Sequence, residues 1–429
     1  MRIVVFPVDA LASSVFTADT RRQEKPVKAP CLRLLGAVLA VVPLFGCGGE
    51  IPQPLVQVRD SAGVAIVENN AAAEVELDRW QVPDSPILEI GVSEGAAEYQ
   101  LDNVRSALRL ADGRIVVANA GTHEIRCYDR AGRFIRSVGR EGGGPGEFRS
   151  ITWLRRFATD SLAVFDRRSL RITIFDDDGE LSRSLNVAQL PGITFPNPIG
   201  LFDDGKVLVN SPTSPDQGSG ATRIIRDPLS CHLVDSDGRL IGSVGEHPGM
   251  EYYLATLRGQ SVGMPLPFGK LPQFEVFEDR FFVGASDTYE IEMYGEDGTL
   301  LRLIRLDQEN AELTAEEIER YRRMRLERAR TPEARQRVEQ ELNEVPFPET
   351  MPAYGPLMAD REGNLWVRQY LPPGGDPTHW RVFDGDGRMI AVAETPGGFL
   401  PLEMGSDYVL GRWRDDMDVE YIRMYTLHK

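Results

Sequence analysis

The side chains best suited to chemistry in this chain are arginines, aromatic residues and short polar groups at the ends of short apolar segments. A guanidinium group donates two parallel hydrogen bonds to planar acceptors, and aromatic rings stack on peptide, sugar or aromatic groups. These residue types therefore favour noncovalent ligand binding. The candidate ligand-binding residues are Asn119, Arg140, Arg149, Asp166, Arg168, Tyr252, Tyr253, Tyr370, Arg412 and Trp413.

Residues for catalysis or metal binding form no recognisable set. The five histidines are scattered, and His123 and His379 are the weak metal candidates among them. A metal ion needs three or four convergent ligands. Residues 142–146 lack the Lys-Ser/Thr of a phosphate-binding loop, and Val187 stands where a calcium loop starting at Asp176 needs Glu. We predict no catalytic residue and no cofactor, with a divalent metal as the open alternative.

The elements that position these residues come from a unit first seen at residues 107–149. Asp112-Gly113 is a tight-turn signal between two apolar runs, and Asp129-Arg130-Ala131-Gly132 turns the chain again. Asp bonds to its own backbone in such turns, and Gly supplies positive φ. This second turn recurs at residues 60–63, 129–132, 176–179, 235–238, 295–298 and 384–387.

The first hairpin of the unit recurs as well. Its second strand is at residues 114–118, 161–165, 206–209, 280–284, 364–368 and 407–411. A repeat of roughly 40–60 residues built from four short strands is typical of a β-propeller. A sandwich with accidental turns is the alternative, and the recurrence of both turns in phase disfavours it. The predicted fold is all-β, a six-bladed propeller of four-stranded blades.

With these features the chain resembles the bacterial six-bladed β-propeller proteins of the NHL-like group. The resemblance covers about residues 55–427 and rests on VRDSAGVAIVEN, on the DG…VAN…YD..G hairpins and on GREGGGPGEF. It implies the fold, but a fold of this kind does not transfer a function. Some relatives of this architecture are metal-dependent lyases or lactonases with ligands at the central axis.

The predicted blades differ in how they are completed. The last copy has three strands, and Val64–Val67 follows a turn with no preceding hairpin, so we predict that this N-terminal strand completes blade six. Such closure removes a free sheet edge. The predicted blades are residues 104–140, 151–188, 197–245, 272–306 and 354–394, with 398–428 plus 55–68 as blade six.

Three long connections, residues 139–148, 245–270 and 307–353, each precede the first strand of a blade. They are expected on the face where the candidate residues lie, and binding residues favour loops on a rigid scaffold. The last connection holds two helix-capping signals, at Thr314 and Thr331, which predict a helical hairpin at 313–345 before blade five. This hairpin is either an ornament packed over the propeller or a lid or docking element.

The N-terminal segment predicts export. Residues 34–45 are a 12-residue apolar run after a basic leader, too short for a bilayer span and typical of a signal-peptide core. The sequence Leu44-Phe45-Gly46-Cys47 resembles a lipobox, so Cys47 is the predicted lipidation site; an ordinary secretory peptide is the alternative. Residues 1–46 are then the signal peptide, with a true start near residue 27, and residues 47–54 a tether. The predicted location is the bacterial cell envelope, at the outer membrane if the source has one.

Composition narrows the partners. The chain has 429 residues and a net charge of −17, and residues 1–46 are net basic, so the remaining chain is more acidic still. An acidic body disfavours a nucleic-acid partner. Cys127 and Cys231 lie in strands of different blades, and we predict two buried thiols instead of a disulfide.

Three functions remain open after this reading. The first is a lipid-anchored module that binds a peptide, glycan or protein without catalysis. The second is a metal-dependent lyase or hydrolase at the propeller axis. The third is a structural component of an envelope complex that docks through the helical hairpin.

Overall fold

Six β-sheets stand around one axis in the computed structural model, which describes residues 55–157, 161–176, 178–213, 224–257, 260–373 and 379–429. The first strand of each sheet contacts the first strands of its two neighbours, and the sixth sheet contacts the first. This cyclic order is a six-bladed β-propeller, and it confirms the predicted fold. The predicted signal peptide, the tether and Cys47 lie outside the described residues.

An N-terminal segment crosses the outer edges of three blades, and we call residues 55–103 the strap. It contains two 3₁₀ helices, Ala71–Glu76 and Ala97–Tyr99. Its strands are β1 (Val56–Ser61), β2 (Val64–Asn70), β3 (Asp78–Gln81) and β4 (Leu88–Ile90).

Blades one to three follow in chain order, each from its innermost to its outermost strand. Blade one is β5 (Val104–Arg109), β6 (Ile115–Asn119), β7 (Glu124–Tyr128) and β8 (Phe134–Val138). Blade two is β9 (Ile151–Phe157), β10 (Ser161–Asp166), β11 (Arg171–Phe175) and β12 (Leu181–Asn186). Blade three is β13 (Asn197–Leu201), β14 (Val207–Pro212) and, after a separate short strand β15 (Ile224–Ile225), β16 (Pro228–Val234) and β17 (Leu240–Pro248).

The second half of the chain adds three blades and two insertions. Strands β18 (Tyr252–Leu257) and β19 (Gln260–Pro265) form a small sheet with β15. Blade four is β20 (Gln273–Phe277), β21 (Arg280–Gly284), β22 (Glu290–Gly295) and β23 (Leu300–Asp307). Helices α1 (Ala315–Arg328) and α2 (Pro332–Glu344) confirm the hairpin predicted before blade five, which is β24 (Leu357–Ala359), β25 (Leu365–Arg368), β26 (His379–Phe383) and β27 (Met389–Glu394). Blade six contains β28 (Phe399–Met404), β29 (Tyr408–Arg414) and β30 (Glu420–Thr426).

The strap corrects the predicted closure of the ring. Strand β2 pairs in parallel with β23, so the predicted closing residues Val64–Val67 lie on blade four, with β1 outside them. Strand β3 pairs with β27 of blade five, and β4 pairs with β30 and completes blade six. An N-terminal strand does close the ring, but it is β4. The reason is position along the chain: β4 leads directly into blade one, which adjoins blade six, whereas the chain after β2 still has to cross blade five.

Buried polar side chains fasten the strap to the blades. The Asn69 amide donates to the carbonyls of Arg305 and Gly387, both at 3.0 Å, and its oxygen accepts from the Met389 nitrogen at 2.7 Å. One side chain thereby joins blades four and five. At the other end of the strap, Arg126 donates to three backbone carbonyls in and beside the second 3₁₀ helix, at 2.8 to 3.1 Å.

The Asp-x-x-Gly turns form as predicted because each aspartate satisfies its own turn. The Asp129 carboxylate accepts from the nitrogens of Ala131 and Arg133, both at 2.9 Å, and Gly132 has a φ of +78°. Asp235 and Asp384 make the same pair of bonds in blades three and five. The repeated sequence signal therefore reports a repeated hydrogen-bond pattern.

Asp129→Ala is expected to lower the urea midpoint of unfolding, and Asp129→Asn to lower it less, because asparagine keeps the acceptor. The Arg133 backbone N–H holds the pKa of Asp129 below its usual 3.8. A lowered folded-state pKa means that the charge stabilises the fold above about pH 3.8 and that this contribution disappears as the pH falls through the lower value. Urea titrations at pH 7 and pH 3 test this. A wild-type advantage over Asp129→Asn that does not shrink at pH 3 would contradict it.

The two body cysteines are buried and free, as predicted. Cys127 lies in β7 and Cys231 in β16, two blades apart. Burial raises the pKa of the Cys231 thiol to about 12. The thiols therefore act as small core side chains and not as nucleophiles.

Candidate functional site

One face of the ring, which we call the mouth, carries the connections from second to third strands and from each fourth strand to the next blade. The three predicted long connections are all of the latter kind. Two of them, residues 245–270 and 307–353, together with the connection from β14 to β16, build a layer over blades three to five that we call the cap, formed by β15, β18, β19, α1 and α2. Phe268, Tyr321 and Leu342 are buried together between its parts, with Phe347 packed against them. The cap is therefore a packed layer of the protein.

The helices of the cap form where their capping signals are. Thr314 makes a capping box with Glu317, and the Thr331 side chain accepts from a backbone nitrogen at the start of α2. Arg325 of α1 pairs with Glu341 of α2 at 3.0 Å. These contacts fix the hairpin as a unit.

Replacing the buried Lys270 with methionine is expected to loosen the cap. The Lys270 ammonium donates to the carbonyl and hydroxyl oxygens of Thr350, at 2.5 and 3.0 Å, which ties the chain after β19 to the chain after α2. Burial lowers the pKa of Lys270. Loss of these charged hydrogen bonds should cost about 2 kcal/mol and speed tryptic cleavage near Arg328. Lys206→Met, in a turn on the opposite face, is the control; equal cleavage rates in the two variants would refute the role of Lys270.

The three predicted tyrosines lie in the cap or pack against it. Tyr253 is buried against Val345, and the Tyr252 hydroxyl donates to Asp227. Tyr370 packs against the helical hairpin, and burial raises its pKa to about 12. Packing within the cap therefore removes Tyr253 from the accessible mouth, which corrects the sequence expectation for that residue, whereas Tyr252 and Tyr370 are only partly buried.

Two other predicted binding residues hold loops in place. Asn119 is fully buried, and its side chain accepts from the Asp102 nitrogen and donates to Thr122, both at 2.8 Å. Asp166 is also fully buried and accepts from the backbone nitrogens of Arg149 and Arg168, at 2.6 and 2.9 Å. Both side chains hydrogen-bond to other residues of the protein, and they position the loops that carry other candidate residues.

The predicted arginines of blades one and two are exposed at the mouth. Arg140 pairs with Glu147 at 2.7 Å, whereas the Arg149 and Arg168 side chains extend from the backbone that Asp166 holds. The glycine-rich loop between the blades is fixed by Arg171, which donates to three of its carbonyls at 2.7 to 3.1 Å. The hydrogen bonds of Arg171 thus fix the backbone of this loop. The exposed arginines extend from backbone that is held by hydrogen bonds.

Blade six contributes a second basic group around one buried carboxylate. The Glu420 side chain is 4% exposed; one oxygen accepts from Arg412 at 3.3 Å and from Arg414 at 2.5 Å, and the other accepts from the Val104 nitrogen at 2.6 Å. Trp413 lies between the two arginines in sequence. The Arg423 guanidinium packs over its ring, 3.5 Å from the ring centroid. Arg412 is placed where the sequence predicted it, and Trp413 supports the strand.

The sequence analysis missed two mouth arginines. Arg105 is an exposed extra residue in a β-bulge of β5. Burial lowers the pKa of Arg412, and the positive charge of Arg105 adds to that shift. Arg368 ends β25 of blade five, and its Nε is buried with no hydrogen-bond partner among the described residues. A sequence signal for Arg368 was present, because it ends the second strand of blade five. The predicted residue Arg412 lies near the end of the second strand of blade six. Bulges also occur often beside functional sites.

Charged pairs fill the axis near the face opposite the mouth. Arg155 pairs with Glu275 at 3.2 Å, and Arg156 pairs with Glu403 at 3.3 Å, in each case across the ring. Burial raises the pKa of Glu403, and the neighbouring Arg156 opposes that shift. Guanidinium groups thus occupy the places beside both carboxylates that a cation would need.

The two histidine candidates do not meet. His123 adopts a left-handed turn conformation in blade one, while His379 lies in blade five and pairs with Glu394 at 3.2 Å. In the described part of the chain, no three His, Cys, Asp or Glu side chains are grouped so as to hold a metal ion. None of the helices described there is long and apolar enough to cross a membrane.

Comparisons with known proteins concern the fold. The family DUF5128, described as a 6-bladed beta-propeller, matches residues 98–188. A member of the DUF4221 family from Bacteroides vulgatus is 13% identical, with a TM-score of 0.50, covering 82% of this chain and 98% of that chain. A protein from Bacteroides fragilis described as exported is 11% identical (TM-score 0.46, 85% and 99% covered), and a gluconolactonase from Xanthomonas campestris is 15% identical (TM-score 0.37, 80% and 98% covered). No curated protein matches the chain.

The resemblance to bacterial six-bladed β-propellers is therefore confirmed at the level of the fold. At 13% identity the DUF4221 structure supports this architecture and no activity. The geometry adds the division of the mouth: a cap over blades three to five, and exposed arginines on blades six, one and two.

Proposed function

We propose that this protein is an exported, lipid-anchored propeller that binds a peptide, glycan or protein ligand at its mouth without catalysing a reaction. The observation that carries the proposal is the group of exposed arginines, Arg149, Arg168 and Arg414, on loops and strand ends that buried carboxylates hold rigid. Rigid placement lowers the entropy lost on binding. The apolar run before Cys47 supports export and anchoring.

The anchor is tested by expressing the full precursor and its Cys47→Ser variant with labelled fatty acid. Incorporation of label and membrane fractionation are expected for the wild type and not for the variant. Equal labelling of both chains would refute Cys47 as the lipidation site.

The binding face is tested by site-specific photo-crosslinking in whole cells. A photoreactive residue replaces either Arg168 at the mouth or Arg130, an exposed arginine in a turn on the opposite face. A discrete adduct is expected from position 168 and not from position 130. Adducts of equal yield from both positions, or none from position 168, would contradict a binding mouth.

The metal content of the purified protein separates ligand binding from metal-dependent chemistry. Elemental analysis of the full chain, purified without chelators or a histidine tag, is expected to show no stoichiometric divalent metal. About one equivalent per chain would overturn the noncatalytic proposal.

Removing residues 313–345 should leave the adduct at position 168 unchanged, because the hairpin lies over other blades. Loss of the adduct would favour docking through the hairpin.

A further inference from the structure

We infer that a small cavity between blades three and four binds a primary ammonium group, carried by a small amine or by a peptide. The cavity has a volume of about 210 Å³. Its lining comes from the end of β17, the end of β21, the connection to β22 and the start of β22, at the mouth end of both blades. The cavity is separate from the exposed arginines that carry the proposed function, so the inference goes beyond that function and does not depend on it.

Glu292 is the carboxylate of this cavity that lacks a permanent counter-charge. The other two acidic side chains of the lining are each paired with an arginine at 2.5 Å: Asp287 with Arg226, and Glu290 with Arg305. Among the described residues Glu292 has no Arg or Lys partner, and its ionisable partner is His247 at 3.1 Å. The cavity therefore carries one net negative charge while the imidazole of His247 is neutral.

One oxygen of Glu292 is bonded within the protein, and the other is available to a ligand. Oε2 accepts from the His247 Nδ1 at 3.1 Å and from the Tyr294 hydroxyl at 2.9 Å. Oε1 has no partner in the part of the chain that the structure describes, and the side chain is 32% exposed where it lines the cavity. Burial tends to raise the pKa of Glu292, but the hydrogen bonds from His247 and Tyr294 outweigh burial and hold this pKa below the usual 4.5. Glu292 is therefore a carboxylate at neutral pH.

His247 adds a second acceptor to the cavity wall. Its side chain is 7% exposed, and the bond from Nδ1 to Glu292 places the proton on Nδ1, which leaves a lone pair on Nε2. Nε2 is buried and has no hydrogen-bond partner among the described residues. A buried polar atom without a partner is costly, and an N–H donor in the adjoining cavity would remove that cost.

The chemistry of the wall favours an ammonium group over a hydroxyl group or a metal ion. A hydroxyl group would donate a hydrogen bond but would leave the charge of Glu292 uncompensated. In the described residues, no three His, Cys, Asp or Glu side chains are grouped so as to hold a metal ion. An ammonium group has a positive charge and three donors, and Pro248, Val283 and Ala285 offer apolar contact to the carbon chain that bears it.

The volume limits the size of the bound group. A cavity of about 210 Å³ is smaller than the roughly 300–1,000 Å³ of pockets that enclose a drug-sized ligand. It therefore takes a whole small amine, or one end of a peptide, either a lysine side chain or the amino terminus.

Ligand-observed NMR titrations of the full chain at neutral pH test the site. Butylamine represents a free amine or a lysine side chain, glycinamide represents a peptide amino terminus, and butanol is the neutral control. At least one of the two amines is expected to bind, and butanol is not. Glu292→Gln keeps an acceptor for His247 and Tyr294 but removes the charge, so it should weaken amine binding at least about tenfold. Glu296→Gln, the same change in the turn at the opposite end of blade four, should leave binding unchanged.

The outcomes are distinct. Tighter binding of butylamine indicates a free or side-chain amine, and tighter binding of glycinamide indicates a peptide amino terminus. Butanol binding as tightly as butylamine would overturn the inference, and this comparison uses the wild type alone, so it holds whatever the stability of the variants. Equal weakening by Glu292→Gln and Glu296→Gln, or no binding of either amine, would also overturn it. The crosslink at position 168 tests the proposed function separately and does not involve this cavity.

Discussion

Glu420→Ala is expected to lower the free energy of unfolding by about 3 kcal/mol, because it removes the partner of two guanidinium groups and of a backbone N–H at once. The Val104 nitrogen belongs to the first strand of blade one, while Glu420 belongs to blade six. The carboxylate therefore links the two blades that close the ring. Chemical denaturation followed by tryptophan fluorescence measures the change.

A matched control separates this effect from the loss of any ion pair. Glu89 of the strap pairs with Arg423 at 2.6 Å but is 43% exposed. Exposed pairs contribute about 0–1 kcal/mol, so Glu89→Ala should change stability little. Equal losses in the two variants would show that Glu420 acts as an ordinary surface charge.

Ile90→Ala is expected to cost about 3 kcal/mol, in the range measured when a large core side chain is truncated. Ile90 is 1% exposed and pairs with Ile422 in the strand pair that completes blade six. Ile87→Ala is the control within the same segment, since the Ile87 side chain is 61% exposed. A loss below about 1 kcal/mol for Ile90→Ala would mean that the ring does not depend on β4.

The turns made the blades predictable from the sequence. Each Asp-x-x-Gly turn is a local structure, decided by hydrogen bonds within five residues, as at Asp129. The helical hairpin was predictable for the same reason, because Thr314 and Thr331 cap helices through neighbouring residues. The closing strand was not, because the choice between β2 and β4 as the partner of β30 depends on pairing with residues more than 300 positions away.

The position of several candidate residues at the mouth was predictable from the sequence, and the burial of their side chains was less so. Arg412 and Arg168 lie at the mouth because the ends of second strands do. Tyr253 was assigned to the open mouth, but packing within the cap buries it, and no local pattern shows which loops pack together. Arg105 was missed because a bulge, which depends on the partner strand, changes where its side chain lies.

The strap also decides how the protein would respond to a pulling force at its N-terminal end. Such a force reaches β1 first, and β1 and β2 form an antiparallel pair in which Val56 lies opposite Asn69. The pulled end of β1 is thus beside the end of β2 that continues into the ring, so its hydrogen bonds break one after another at low force. The pair of β4 with β30 lies behind β2 and β3 along the chain. The hairpin of β1 and β2 would therefore unfold first, while the pair of β4 with β30 keeps the ring closed.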